Sequence, residues 1–352
     1  MRVTILAAGR FGPEFAARIA EGKEPRLDVF ELRDALGAEL FDFRALDQAP
    51  LAVRALRLAA SDSAALALFG ARLRPAPDVF FTTGEDIGIP LAALLKATRS
   101  RSAHAMIAHT LTPAKKRPFF SVLGVQSRLD RVLCYATNEE RFIDQTLKMH
   151  APQVRRIHYH ADEHFFRPLP EVPLEPDLLC SAGQLLRDYQ TLIHAVRDLP
   201  VRLCVAAGSP WISSELLPNA ALPPNVDWRR YDRDALRHLY ARSALAIVPI
   251  FQNDYQTGIS TILEMMAMGK CVIATRTRGQ SDAITDGVNG AYVQPGDVAG
   301  MRKTIERLLA NPEEARRMGA AARSFIEEEA GLDRFTGRLV ETIRAAADAR
   351  QR

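Results

Sequence analysis

The sequence predicts an α/β protein of two doubly wound parallel-sheet domains in tandem, and three observations predict it. Its 352 residues exceed what one hydrophobic core usually serves. Short apolar runs alternate with helical patterns along the chain, as in parallel sheets covered by helices. The alternation stops once, at a proline-rich stretch, and then restarts.

In the first half the apolar runs are VTILAA (3–8), PDVFFTT (77–83), AHAMIAH (103–109), RVLCYAT (131–137) and RRIHYH (155–160). Helical patterns lie between them at PEFAARIAEG, LAALLKATRS and NEERFIDQTLKMH. Thr137 or Asn138 is the expected cap of the last, with Glu139 and Glu140 in its first turn. The stretch RPLPEVPLEPD (167–177) continues neither a helix nor a central strand and reads as a linker. Beyond it come DLLCSAG, VRLCVAAG, LAIVPI and KCVIAT, each followed by a helical pattern. The expected domains are therefore 1–166 and 178–332. A terminal amphipathic helix, 333–352, packs across either domain and is assigned to the first.

Composition narrows the class. About half the residues are apolar and a quarter charged, with a net charge of +4. This suits an ordinary soluble protein and does not call for nucleic acid. Cys134, Cys180, Cys204 and Cys271 sit in or beside apolar runs without metal-ligand spacing, as buried strand positions in a reducing cytosol would. The opening MRVTILAAG meets charge too soon to be a signal peptide. No run approaches the roughly 20 apolar residues of a spanning helix. A cytoplasmic protein is expected.

The most informative segment is 245–299. The strand LAIVPI runs into FQNDYQTGIS, then a helix TILEMMAMGK, the strand CVIAT and the loop RTRGQSDAITDGVNGAYVQPGD. A turn at Gly258 before Ile259, Ser260 and Thr261 frees backbone N–H groups at a helix N-terminus, where the helix dipole favours a phosphate. Glu264 lies about one turn inside, where its carboxylate can accept from a ribose diol. Taken alone, this is equally an ordinary strand–helix junction with a solvated glutamate.

The segment resembles the donor-binding core of the family-4 retaining glycosyltransferases, whose GT-B fold sets two Rossmann-like domains across a cleft. That family carries two glutamates with seven residues between them, then small residues, a Gly and a strand like PVIAT. Glu264 matches the second glutamate and Met265–Thr275 follow the pattern. Gly279, Asp282, Asp286, Gly287, Gly290 and Gly296 are on the pattern of the next loop. Gln256 stands where the first glutamate is expected, so the amide would hold a sugar hydroxyl without charge.

A second match covers 178–211. The resemblance implies Gly183 at a strand end, Gly208 at the next, and Arg187 neutralising the diphosphate, with Gln184 where an arginine often stands. A departing diphosphate gathers negative charge that a fixed cation and helix N–H groups stabilise. Arg187 alone would also read as a surface arginine paired with Asp188. Residues 226–240 occupy the family's nucleobase position, with Trp228, Arg230 and Tyr231 as candidate contacts. Asp162 and Phe166–Pro168 resemble the approach to the interdomain linker.

At the carboxyl edge of the first domain, where open α/β sheets bind ligands, His109 matches a histidine that contacts the donor sugar. It reads equally as a hydrogen-bonded structural residue. The Gly9-Arg10-Phe11-Gly12 turn and Glu85–Asp86 would face the acceptor. The turn lacks the dinucleotide G-x-G-x-x-G spacing.

By resemblance the reaction is a hexosyl transfer from a nucleotide-diphosphate sugar to a hydroxyl acceptor, with retention. It needs no cofactor and no metal, since no Asp-x-Asp pair stands near the phosphate site. The acceptor is a glycan, a lipid-linked molecule or a small molecule, as in polysaccharide biosynthesis. Segment 112–131 interleaves Lys115, Lys116, Arg117, Arg128 and Arg131 with Phe119, Phe120 and Leu123. It would touch the inner membrane face, or is a solvated basic face. A sugar-nucleotide epimerase and a non-catalytic binder share the fold class. A pyridoxal-phosphate phosphorylase would need a cleft lysine, and Lys270 is on the wrong side of its turn.

Overall fold

The computed structural model describes residues 1–208 and 222–351. Residues 209–211, the end of the second resembling segment, lie outside the described residues. Two compact units emerge. The first comprises Met1–Arg18, Arg26–Ile157 and the chain from Phe335; the second comprises Ile19–Pro25 and His158–Arg334.

In the first unit the strands are β1 (Val3–Leu6), β2 (Glu39–Phe41), β3 (Val79–Thr82), β4 (Ala103–Ala108), β5 (Arg131–Cys134) and β6 (Val154–Arg156). They form one parallel sheet, ordered β2-β1-β3-β4-β5-β6. The helices are α1 (Pro13–Ala20), α2 (Asp28–Leu36), α3 (Leu51–Ala59), α4 (Asp62–Ala71), α5 (Glu85–Ala97), α6 (Arg117–Ser121) and α7 (Thr137–Gln145). Leu6 and Phe80 pack with Leu66 and Leu91 in one buried cluster. Met106 and Val132 pack with Phe120 and Ile143 in another.

The second unit repeats the plan with β7 (Glu175–Ala182), β8 (Arg202–Ala206), β9 (Val226–Arg229), β10 (Ser243–Val248), β11 (Val272–Thr275) and β12 (Ala291–Val293). Their order is β12-β11-β10-β7-β8-β9, again all parallel. The helices are α8 (Tyr189–Val196), α9 (Arg233–Arg242), α10 (Ile259–Ala267), α11 (Val298–Ala310) and α12 (Pro312–Phe325). The final helix, α13 (Leu332–Gln351), begins in this unit and continues into the first. Alternation along β7 sends Leu178, Cys180 and Ala182 to one core and Leu179 to the other, as the two-residue period of a strand covered on both faces requires. All four cysteines are free, and three of them are buried.

Several expectations change. After a short excursion at Ile19–Pro25, the chain leaves the first unit at Ile157–His158, where 166 was expected. The stretch 167–177 is only partly a connection, because β7 starts at Glu175 on its parallel partner β10. Helix α5 runs through Pro90, six residues earlier than its apolar pattern suggests. Neither Thr137 nor Asn138 caps α7. Its N-cap is Ala136, with no side-chain bond. Among the described residues no helix is long and apolar enough to cross a membrane.

Candidate functional site

The carboxyl ends of β7, β8, β9 and β10 bring four sequence-distant segments to one edge of the second sheet. The order there reverses between β10 and β7, the switch point where open α/β sheets form crevices. A cavity of about 320 Å³ opens at this edge. Gly183, Gln184, Gly208, Tyr231, Ser260, Thr261 and Glu264 line it with Arg233, Leu236 and Tyr240.

Helix α10 forms part of its wall. Gly258 is its N-cap at φ 82°, in the left-handed region, and no side chain caps the helix. The first-turn N–H groups of Ile259, Ser260 and Thr261 therefore have no intrahelical partner. A Cβ at Gly258 would lie 3.0 Å from Ile250 Cδ1 and 3.2 Å from Arg187 Nη1. The turn, the helix dipole and a guanidinium thus converge.

Arg187 is buried, at 4% exposure. Its Nε donates to the Ala182 carbonyl (3.0 Å), Nη1 to the Leu185 carbonyl (2.9 Å) and Nη2 to Thr261 Oγ1 (3.2 Å). Among the described residues it has no carboxylate within ion-pair distance. Asp188 does not pair with it. That carboxylate caps α8, accepting from Thr191 N and Oγ1. Burial lowers the Arg187 pKa, with Tyr189, Tyr240 and Glu264 pulling the other way. A buried cation held only by neutral acceptors is costly until an anion arrives. Gly183 makes this approach possible: at φ 98°, its Cβ would stand 2.2 Å from Arg187 Nη2.

Glu264 accepts from Arg233 Nη1 at 3.1 Å and, more weakly, from the Tyr240 hydroxyl at 3.5 Å. Burial raises the Glu264 pKa against the pull of Arg233, and Glu264 raises that of Arg233. Neither Arg233 nor Tyr240 was singled out from the sequence. Their spacing of seven on an amphipathic helix is the signal that could have found them. Asp232 fixes that helix by capping Ala235 N at 2.8 Å.

The remaining residues divide. The Arg230 stem lies over Gly208, where a Cβ would fall 1.8 Å from Arg230 Cγ. Trp228 is turned away from a base-stacking role. Its indole donates to the Ala207 carbonyl at 2.8 Å and packs edge-on against Tyr189. Gln256 does not line the cavity, and its Oε1 is buried with no hydrogen bond among the described residues. Asn253 folds this loop by accepting from Tyr255 N and Thr257 Oγ1. Gly279 closes on it, donating to the Asn253 carbonyl.

The first unit gathers its candidates at the carboxyl ends of β1, β3 and β4. His109 is exposed, and its Nε2 lies 2.9 Å from the Thr83 carbonyl. In that contact Nε2 carries the proton and donates to the carbonyl. Glu85 faces inward, contrary to an acceptor contact. Its carboxylate accepts from His109 N (2.8 Å), Thr110 N (3.2 Å) and Lys116 Nζ (2.7 Å). Asp86 is exposed, 3.5 Å from Lys116. Arg10 is held bidentately by Asp47. Phe11 packs edge-on against Phe15 and Phe30, between Gly9 and Gly12 in the chain.

Segment 112–131 also differs from the expected basic-aromatic surface. Lys116 and Phe120 are buried, and Phe119 packs against the same core. Lys270 donates to the Ala241 and Ser243 carbonyls before β11, at the edge opposite the cavity. Among the described residues Glu163, His164 and Asp333 form one group with metal-ligating atoms close together. Glu163 is already committed there, accepting from Leu332 N and Asp333 N. None of the three lines the cavity.

These features define an α/β protein of two parallel sheets, with an anion-receptive cavity on the second. Residues 179–311, within the second unit, match the family described as glycosyl transferases group 1. The chain is 28% identical over 156 residues to a D-inositol 3-phosphate glycosyltransferase of Thermobifida fusca, covering 42% of this chain and 34% of that protein. It is 27% identical over 148 residues to the lipopolysaccharide core biosynthesis glycosyltransferase LpsE of Rhizobium meliloti, covering 40% and 42%. The chain thus spans less than half the length of these curated relatives. Solved structures share its fold over nearly the whole chain. A glycosyltransferase from Rickettsia africae superposes with a TM-score of 0.71 at 16% identity, covering 98% of each chain. Anabaena HepE, solved with UDP and glucose, gives 0.70 at 14% identity, covering 97% and 99%. The fold is GT-B.

Proposed function

We propose that the protein is a glycosyltransferase that takes its sugar from a nucleoside-diphosphate sugar held at the carboxyl edge of the second sheet. One observation carries this reading: a buried arginine, without a carboxylate partner among the described residues, adjoins the uncapped N-terminus of α10 in the wall of a cavity. The matched domain and the UDP bound by HepE support the choice of ligand.

In this reading the diphosphate lies against the first turn of α10 and draws on Arg187, a preorganised stabilisation of leaving-group charge. Glu264 accepts from the ribose diol, with Arg233 and Tyr240 fixing its carboxylate. Arg230 and Tyr231 border the nucleobase position. Gln256 and His109 hold sugar hydroxyls, the first through its unpartnered amide oxygen. Gly9–Gly12 and Asp86 belong to the acceptor side, and Glu85 holds the backbone of His109.

Transfer proceeds with retention and without a metal. Glu264 is the one carboxylate among the described lining residues, and it is bound to Arg233, so these residues offer neither a metal-binding acid pair nor a free nucleophile. The acceptor oxygen then bonds the anomeric carbon as the carbon–oxygen bond to diphosphate breaks. With no free base among the described lining residues, the hydroxyl proton passes to the departing phosphate oxygen. Turnover of a sugar nucleotide in excess chelator, with the product anomer read by NMR, tests this. An inverted product or chelator-sensitive turnover would overturn the mechanism. Nucleotide binding without turnover by any acceptor would identify a sugar-nucleotide binding protein instead.

A further inference from the structure

The amino edge of the first sheet, opposite Gly9 and His109, carries positive charge that sugar transfer does not use. The last turn of α5 supplies Lys96, the connection to β4 supplies Arg99 and Arg101, the turn Val125–Arg128 supplies Arg128, and the end of α13 supplies Arg350. With Ser100 these side chains line an open depression of about 490 Å³. Lys96, Arg99 and Arg101 are exposed. Among the described residues, Lys96, Arg99, Arg101 and Arg128 make no ion pair. Arg350 has one contact, at 3.5 Å, with Asp130. Asp78, in the adjoining depression, is taken up by Arg2 N and the terminal ammonium.

The cations are held together by the backbone. Lys96 Nζ donates to the Leu123 and Gly124 carbonyls at 2.7 and 2.9 Å. Arg128 Nη2 donates to the Ser100 carbonyl, while its Nε is buried with no partner. Like charges fixed this closely repel unless an anion lies among them. The segment whose carbonyl Lys96 grips carries two exposed aliphatic side chains, Val122 at 79% and Leu123 at 48% exposure.

We propose that this face of the first unit docks on an anionic lipid bilayer. The depression takes lipid phosphate, and Val122 and Leu123 enter the boundary between headgroups and acyl chains. Cations beside exposed aliphatic side chains are the pairing a membrane interface rewards. A soluble phosphate compound would use the depression and leave the aliphatic pair idle. A single-stranded nucleic acid would want aromatic platforms, and none of the lining residues is aromatic. The surface shares no residue with the sugar-nucleotide cavity, so the proposal stands apart from that reading.

Co-sedimentation of the full chain with vesicles decides it. Pelleting is expected with an equimolar mixture of phosphatidylcholine and phosphatidylglycerol, absent with phosphatidylcholine alone, and weakened by salt. The pair Arg99→Asn and Arg101→Gln should lower partitioning roughly fivefold for each charge removed. Val122→Ser with Leu123→Ser should lower it at constant charge. These side chains are exposed, so unchanged thermal melts confirm that each variant folds. No pelleting with the anionic vesicles would overturn the proposal, as would equal pelleting with neutral ones or variants that bind like the parent. Stabilisation by inorganic pyrophosphate without vesicle binding would also overturn it, in favour of a soluble ligand.

Discussion

Arg187 Nη2 donates to Thr261 Oγ1 across 3.2 Å, joining the segment that opens α8 to the first turn of α10. This contact carries a buried cation to the helix terminus where N–H groups are free, and none of the described carboxylates pairs with it. Positive charge and oriented N–H donors together make the site an anion receptor before any ligand binds.

Arg187→Met keeps most of the side-chain volume and removes the charge. Charge-assisted hydrogen bonds contribute about 1.5–3 kcal/mol, so nucleoside-diphosphate affinity should fall roughly ten- to a hundredfold. Titration calorimetry reads the change, and circular dichroism confirms the fold. Undiminished affinity would remove Arg187 from the site.

Gly183→Ala places a Cβ 2.2 Å from Arg187 Nη2 at a φ of 98°. A left-handed residue other than glycine costs about 1–2 kcal/mol, and the guanidinium must also move. The variant should melt a few degrees lower and bind nucleotide more weakly than the parent. Melting and binding like the parent would show that the approach of Arg187 does not need the glycine.

Arg233→Leu leaves the Glu264 carboxylate in the cavity without its cation. The loss drives the Glu264 pKa further up, so nucleotide affinity should fall most steeply on acidification, when the acid protonates and stops accepting. Comparing affinity at pH 6 and pH 8 for parent and variant measures this. A pH-independent loss would mean that Arg233 contacts the ligand directly.

Glu139 gives a stability test in the first unit. Burial pushes its carboxyl up to about 7, and Glu85 adds to the rise against Leu111 N and Lys116. A raised acid favours its neutral form in the fold. The stability this provides is complete below the ordinary glutamate pKa and is lost as pH rises through about 7. Glu139→Gln keeps an acceptor for Leu111 N and stays neutral. Its melting advantage over the parent should therefore grow between pH 4.5 and pH 8, to roughly 5 °C or more. A constant difference would contradict the burial account.

The cores of both sheets were legible because parallel strands covered on both faces read as continuous apolar runs. β10 and β11 stand where LAIVPI and KCVIAT place them. Three edge strands were not legible. β2 and β12 have three residues each, and β9 carries Asp227 and Arg229 on its half-wet side. The first six residues of α5, Glu85 to Pro90, lie outside the run LAALLKATRS that marked the helix. At the cavity, Gly258, Thr261 and Glu264 were readable as one local motif. Arg233 and Tyr240 meet Glu264 only through the fold, with no local pattern to name them. Glu85 beside Asp86 looks like a surface pair. Only the tertiary N–H groups of His109 and Thr110, with Lys116, turn it inward.

The central claim is that this cavity binds a nucleoside diphosphate. The most direct test melts the parent, Arg187→Met and Glu264→Ala against UDP, GDP, ADP and dTDP. One nucleotide should stabilise the parent by about 2.7 kcal/mol at a hundredfold excess over its dissociation constant, and both variants should lose that shift. A shift retained in both, or no shift with any of the four, would contradict the assignment.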